Sequence, residues 1–184
     1  MEEAEIRRIA AFREQIGLDR PVTREDLRSA LEGAIRDRGL YLYFIWKSIQ
    51  KKLPEEEADE VIRDAMHTYG LYKSKGLGEV TNAAEGMLNQ SSRNGMIVFD
   101  QEFTALTDDY AEKVIRNCPL VNAFREVGAT EEETKKLCQD LLGVSDRALL
   151  EPFADAVEVS FPKTLSSDDV CVMCVRKTCR ETGK

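Results

Sequence analysis

Met96-Ile97-Val98-Phe99-Asp100-Gln101-Glu102-Phe103 and Tyr110-Ala111-Glu112-Lys113-Val114-Ile115-Arg116-Asn117 mark the point where the texture of this chain changes. Both runs are rich in β-branched and aromatic residues. Thr107-Asp108-Asp109 lies between them as a turn, so the pair reads as a hairpin. A second pair follows: Val157 to Thr164 and Val170 to Arg176 flank Ser166-Ser167-Asp168-Asp169. Pro162 inside the third strand marks a bulge or a sheet edge, because proline lacks the amide a ladder needs. Between the hairpins, Pro119 to Val127 reads as a short helix ended by Gly128. Thr130 with Glu133 forms a capping box for a helix through Leu142, and Ser145 to Phe153 adds a further turn or helix.

Upstream the pattern is helical. Ile6, Ile9, Ala10 and Ile16 keep helical spacing over Glu3 to Gln15, and Gly17 stops that helix. Pro21 and Thr23 open the next, with Asp26 completing an acidic capping box. Leu27, Leu31, Ala34, Ile35, Leu42, Ile45 and Ile49 continue its apolar face, and Gly39 is a point where it kinks or breaks. Leu53-Pro54 starts another, with Glu55, Glu56 and Glu57 in the dipole-favoured first turn and Gly70, Gly76 and Gly78 loosening its end. Glu79 to Leu88 is a last helical segment, and Asn89 to Gly95 is polar loop. The expected architecture is α+β. A helical N-terminal layer (1–92) packs on a mostly antiparallel sheet of about four strands (93–176), followed by a tail (177–184), all in a single domain of 184 residues.

Composition narrows the function classes. Net charge is −8, so phosphate backbones are repelled and no nucleic acid is expected as a partner. The longest apolar run, Leu40 to Trp46, is too short to span a bilayer, so no membrane partner is expected. The acidic start Met1-Glu2-Glu3 is unlike a secretion signal, which makes cytoplasmic localisation and reduced thiols the expectation. No phosphate-binding glycine loop, metalloprotease helix motif or serine nucleophile elbow is present.

All five cysteines, Cys118, Cys138, Cys171, Cys174 and Cys179, fall in the second half. Cys118 stands where a strand ends and a helix begins. There the helix macrodipole is expected to lower its pKa, with Pro119 suited to the first helical position; the alternative is a small buried thiol. Cys138 and Asp140 are two apart on a helix and so point about 200° apart. They share a small site only if that helix is distorted. Cys171 and Cys174 form C-x-x-C, but on a strand positions three apart face opposite sides, which argues against zinc. His67 is the only histidine, with Asp64 one turn before it as an orienting partner. Trp46 and Tyr69 belong to aromatic clusters that line a small-molecule pocket or else form core.

Several stretches together carry a resemblance. They are Val114-Ile115-Arg116-Asn117-Cys118-Pro119, Glu126-Val127-Gly128, Leu137-Cys138-Gln139-Asp140, Phe161 with Thr164-Leu165, and Asp168-Asp169-Val170-Cys171. In order and spacing they resemble the L-2-amino-thiazoline-4-carboxylic acid hydrolase family, over residues from about 95 to 176. Ser167 stands where that family often has glycine, and serine also suits a turn. The resemblance implies hydrolysis of a cyclic isothiourea: water adds at the ring carbon between nitrogen and sulfur, and the C–S bond opens. It further implies Cys118 as nucleophile or as the group that positions water, Asp140 on the amidinium, His67 as proton carrier, and Cys171 behind them; on the aromatic clustering, Tyr69 and Trp46 are the further residues expected around the substrate. The cofactor is left open. One alternative is a divalent metal held by Cys118, His67, Asp140 and Cys171. The region also resembles vinyl-reductase-type ligand-binding domains, whose implication is a non-enzymatic small-molecule-binding module. A homo-oligomer is compatible with either.

Overall fold

The computed structural model describes residues 3–178. Residues up to Ala30 form one compact unit and those from Leu31 onward another. The first unit holds helix α1 (Glu3–Gln15), which ends where Gly17 takes φ 63°. It also holds the start of α2 (Arg24–Gln50), opened by the expected box: Thr23 N donates to Asp26 Oδ2 at 2.8 Å, and Asp26 N donates to Thr23 Oγ1 at 3.1 Å.

The second unit is α+β, as the pattern indicated. Its sheet is antiparallel throughout, in the order β1 (Gln101–Leu106), β2 (Tyr110–Ile115), β4 (Cys171–Lys177), β3 (Val157–Lys163). Pro162 lies in a register shift on the edge strand β3, so bulge and edge coincide there. Ala111, Lys113 and Ile115 pair with Val175, Met173 and Cys171 and share the inward face. Helix α4 (Ala83–Asn89) packs on that face, where Val80, Met87, Ala111, Leu150, Val157, Met173 and Val175 form one core. A second core joins α2, α3 (Glu55–Ser74), α6 (Pro119–Glu126) and the segment after α7 (Glu131–Lys135) through Leu42, Trp46, Ile62, Phe124, Leu137 and Leu141. Among the described residues no helix is long and apolar enough to cross a membrane.

Three expectations are corrected. Met96 to Val98 are not strand: they end α5 (Arg93–Val98), whose first turn is capped by Ser92 Oγ accepting from Gly95 N at 3.1 Å. The chain then reverses through Asp100, at φ 48°, before β1 begins. Gly39 neither kinks nor breaks α2. A Cβ there would sit 3.3 Å from the Leu120 backbone, so glycine permits a close approach to α6. Gly70 does not loosen α3 either. It lies against α8 (Gly143–Leu150), where a Cβ would fall 2.5 Å from the Ser145 carbonyl oxygen.

The helix opened by the Thr130–Glu133 capping box widens into a π-helix over Lys136–Leu142, then resumes as α8. Gly143 N donates to the Cys138 carbonyl, the five-residue step of that geometry. Single π turns of this kind recur at functional sites.

Candidate functional site

Between the helical core and the inward face of the sheet lies a cavity of about 1250 Å³. Cys118 comes to it from the N-cap of α6, Cys138, Gln139 and Asp140 from the π-helix, and Asp146 from α8. Lys113 comes from β2, Cys171 from β4, Tyr69 and Lys73 from α3. The distortion required for Cys138 and Asp140 to share a site is present, and both line the cavity. The β3–β4 loop is tied to the π-helix by Gln139, whose Nε2 donates to Thr164 Oγ1 at 2.7 Å and Ser167 Oγ at 2.9 Å. Asp168 Oδ2 accepts from Thr164 N at 3.0 Å, closing the loop on itself. Serine at 167 therefore contributes a contact to the wall rather than merely occupying a turn.

The cavity strips its polar groups of bulk water while leaving them reachable from within. Cys118 is only half-buried by surface, yet desolvation pushes its thiol up to about 12. This corrects the expectation from the macrodipole. The amides of Val121 and Leu120 do bond the sulfur and pull its pKa down, but loss of solvation outweighs them. Cys171 is likewise raised to about 12, by desolvation first and then by Cys138, Cys118 and Asp146 nearby. Cys138 is raised by desolvation, against hydrogen bonding from Ser166. Desolvation also raises Asp146, while the charges of Lys73, Lys113 and Arg147 oppose it. By surface Asp146 is exposed, and it lines the cavity.

A thiol at about 12 is about 10⁻⁴ thiolate at pH 8, against roughly a quarter for a free cysteine. In the folded protein at pH 8, Cys118 is therefore expected to react with iodoacetamide at least about 100-fold more slowly than in urea-unfolded chain. Peptide mass spectrometry resolves it from the other thiols, and fast labelling in the folded state would contradict the desolvated environment.

The site residues expected from sequence divide. Cys118, Asp140, Cys171 and Tyr69 line the one cavity. His67 and Trp46 are not among its lining residues. His67 Nε2 lies 2.7 Å from Glu151 Oε2, so its partner is Glu151 and not Asp64. Trp46 is 1% exposed and donates from Nε1 to Asp59 Oδ1 at 2.7 Å, which places it in the core. The metal set Cys118, His67, Asp140 and Cys171 is not gathered. Among the described residues no three histidine, cysteine, aspartate or glutamate side chains stand together as ligands.

Cys171 and Cys174 do face opposite sides of β4: Cys171 faces the cavity, and Cys174 Sγ contacts Tyr110 Oη at 3.4 Å and Glu112 Oε2 at 3.7 Å. Cys179 lies outside the described residues.

Lys113 and Asp146 were missed by sequence reasoning. The signal for Lys113 was available, since it occupies the inward phase of β2 between Ala111 and Ile115. Asp146 had none, because a short acid in the first turn of a helix is ordinary at a surface.

The chain matches the family model described as L-2-amino-thiazoline-4-carboxylic acid hydrolase over residues 34–175, and it belongs to that family. The match reaches back into the helical half, well beyond the stretch from about 95 that carries the cysteine motifs. Among curated proteins none matches the chain.

Proposed function

Starting from that membership, which supports a hydrolase-type function, we propose that the cavity hydrolyses a cyclic amidine of the 2-amino-thiazoline type, with Cys118 as nucleophile. The observation that carries the reading is the convergence of Cys118, Asp146 and Cys171 on one cavity from three separate elements. An amidinium entering this space meets Asp146, whose pKa desolvation raises and whose ionised form the arriving cation favours. The cation also reverses the electrostatics at Cys118, because a positive charge beside a thiol favours the thiolate that desolvation suppresses. Asp146 takes the place of Asp140 as the amidinium partner in this reading, because desolvation and the charges of Lys73, Lys113 and Arg147 act on its carboxyl within the cavity that both residues line.

The steps balance as follows. The Cys118 sulfur bonds to the ring carbon between nitrogen and sulfur, passing its proton to the Asp146 carboxylate. The ring C–S bond breaks, and the departing sulfur takes that proton. Water then attacks the isothiourea left on Cys118, expels the thiol and leaves an N-carbamoyl-cysteine. Cys171 and Cys138 stay protonated and keep the wall uncharged.

Incubation of the purified protein with L-2-amino-thiazoline-4-carboxylate tests this. Loss of the substrate with stoichiometric appearance of a carbamoyl-cysteine and a free thiol is expected. Binding without turnover by folded protein would make the cavity a non-enzymatic binding module.

A further inference from the structure

β2 alternates in and out, and its inward residues are Ala111, Lys113 and Ile115. The Lys113 side chain is thus built into a core phase, and the residue is 3% exposed. An ammonium carries three donors. Among the described residues one is used, in a bond to Ser91 Oγ at 3.2 Å, and Lys113 has no carboxylate as a hydrogen-bonded partner. Burial of a cation without a paired anion is costly, and folds retain such a group where a ligand completes it.

The acid whose charge acts on Lys113 is Asp146, through space and without an ion pair. Both groups line the same cavity. Lys113 and Asp146 thus present groups of opposite charge to one cavity without an ion pair between them. A ligand that satisfies both is a compact zwitterion.

We infer that Lys113 is the specificity-determining anchor for a carboxylate on the substrate, so that the site accepts cyclic amidines bearing that group and discriminates against the same ring without it. This rests on the hydrolase reading of the cavity for its reaction, but its recognition chemistry is separate from the nucleophile. Desolvation holds Lys113 down to about 8, so the resting ammonium is poorly stabilised, and an arriving carboxylate restores it. The pocket around Lys113 also contains the Cys171 thiol, which stays neutral near pH 7 and does not compete as an anion.

Two probes decide the matter: L-2-amino-thiazoline-4-carboxylate and 2-amino-2-thiazoline, the same ring lacking the carboxylate. Binding is measured by calorimetry and turnover by thiol release, for the unmodified protein, Lys113→Met and Lys113→Gln. The unmodified protein is expected to bind the acid about 100-fold more tightly than the carboxylate-free ring, the size of one charge-assisted hydrogen bond in a desolvated site. Lys113→Met is expected to abolish that preference while leaving affinity for 2-amino-2-thiazoline within about threefold. Lys113→Gln carries the same expectation should the methionine variant fail to fold. A preference that survives in a folded variant, an equal loss for both probes, or no binding of the acid by the unmodified protein would each overturn the anchor. Binding of the acid with a Lys113-dependent preference but no ring opening would leave the anchor standing and remove the hydrolase reading.

Discussion

Under the proposed mechanism Cys118→Ala is expected to lower kcat/KM for L-2-amino-thiazoline-4-carboxylate by at least about 10³-fold, because without the proposed nucleophile only binding and electrostatics are left to act. The structural case rests on what surrounds the sulfur. Cys118 is the N-cap of α6, with Pro119 behind it supplying a helical φ and needing no amide partner. Leu120 and Val121 amides bond the sulfur, so negative charge formed there during attack already has donors in place. Desolvation keeps the resting thiol protonated. In the proposed mechanism the thiol ionises when a cation shares its cavity and is otherwise spared from adventitious alkylation.

Cys118→Ser retains the hydrogen bonds and the volume but substitutes a far weaker nucleophile, so it should fall nearly as far as alanine. Cys138→Ala and Cys171→Ala remove neutral wall groups, and each should cost no more than about tenfold. Steady-state kinetics on the four folded variants separates these roles. Near-native activity in Cys118→Ala would shift the chemistry to water activated elsewhere in the cavity. Mass spectrometry of quenched enzyme adds an independent reading: the isothiourea on Cys118 should be trapped in the unmodified protein and absent from both Cys118 variants.

Local chemistry made much of the framework legible. The Thr130–Glu133 box, Pro119 at a helix start and Pro162 on an edge are short-range effects, and short-range effects survive folding intact. The Met96 to Val98 run failed for a physical reason. β-branching and apolarity favour a strand, but the Ser92 cap and the reversal at Asp100 commit the segment to a helix before the sheet begins. The site was less legible because two of its members are defined by long-range desolvation. Asp146 and Lys113 are unremarkable charges in sequence, and only the packing of α3, α8 and the sheet encloses them in one cavity. The π-helix lay between these cases: the geometry of Cys138 and Asp140 required a distortion, but nothing in Leu137-Cys138-Gln139-Asp140 specifies a five-residue step.

Trp46 provides the opposite test, of a residue that aromatic clustering places in a pocket and packing places in the core. It lies with Leu42, Tyr43, Ile62, Phe124, Leu137 and Leu141, and its indole N–H meets the buried Asp59 carboxylate. Lys136 Nζ reaches the other oxygen of Asp59 at 3.0 Å, so the indole closes a short polar chain that joins α2, α3 and the π-helix. Trp46→Ala should destabilise the fold by about 3–5 kcal/mol, from lost transfer energy and the cavity left behind. That is a large share of the stability of a typical domain, about 5–15 kcal/mol. Trp46→Phe retains most of the apolar volume and loses the bond to Asp59, so it should cost about 1–2 kcal/mol. Urea unfolding followed by far-UV circular dichroism is the suitable measurement, because Trp46 is the chain's sole tryptophan and fluorescence is lost with it. The kinetic counterpart decides between core and pocket. Trp46→Phe should leave KM within about threefold, since the side chain does not line the cavity. A raised KM at unchanged stability would return Trp46 to the substrate's surroundings, and would imply that the cavity wall opens toward the helical core when a ligand enters.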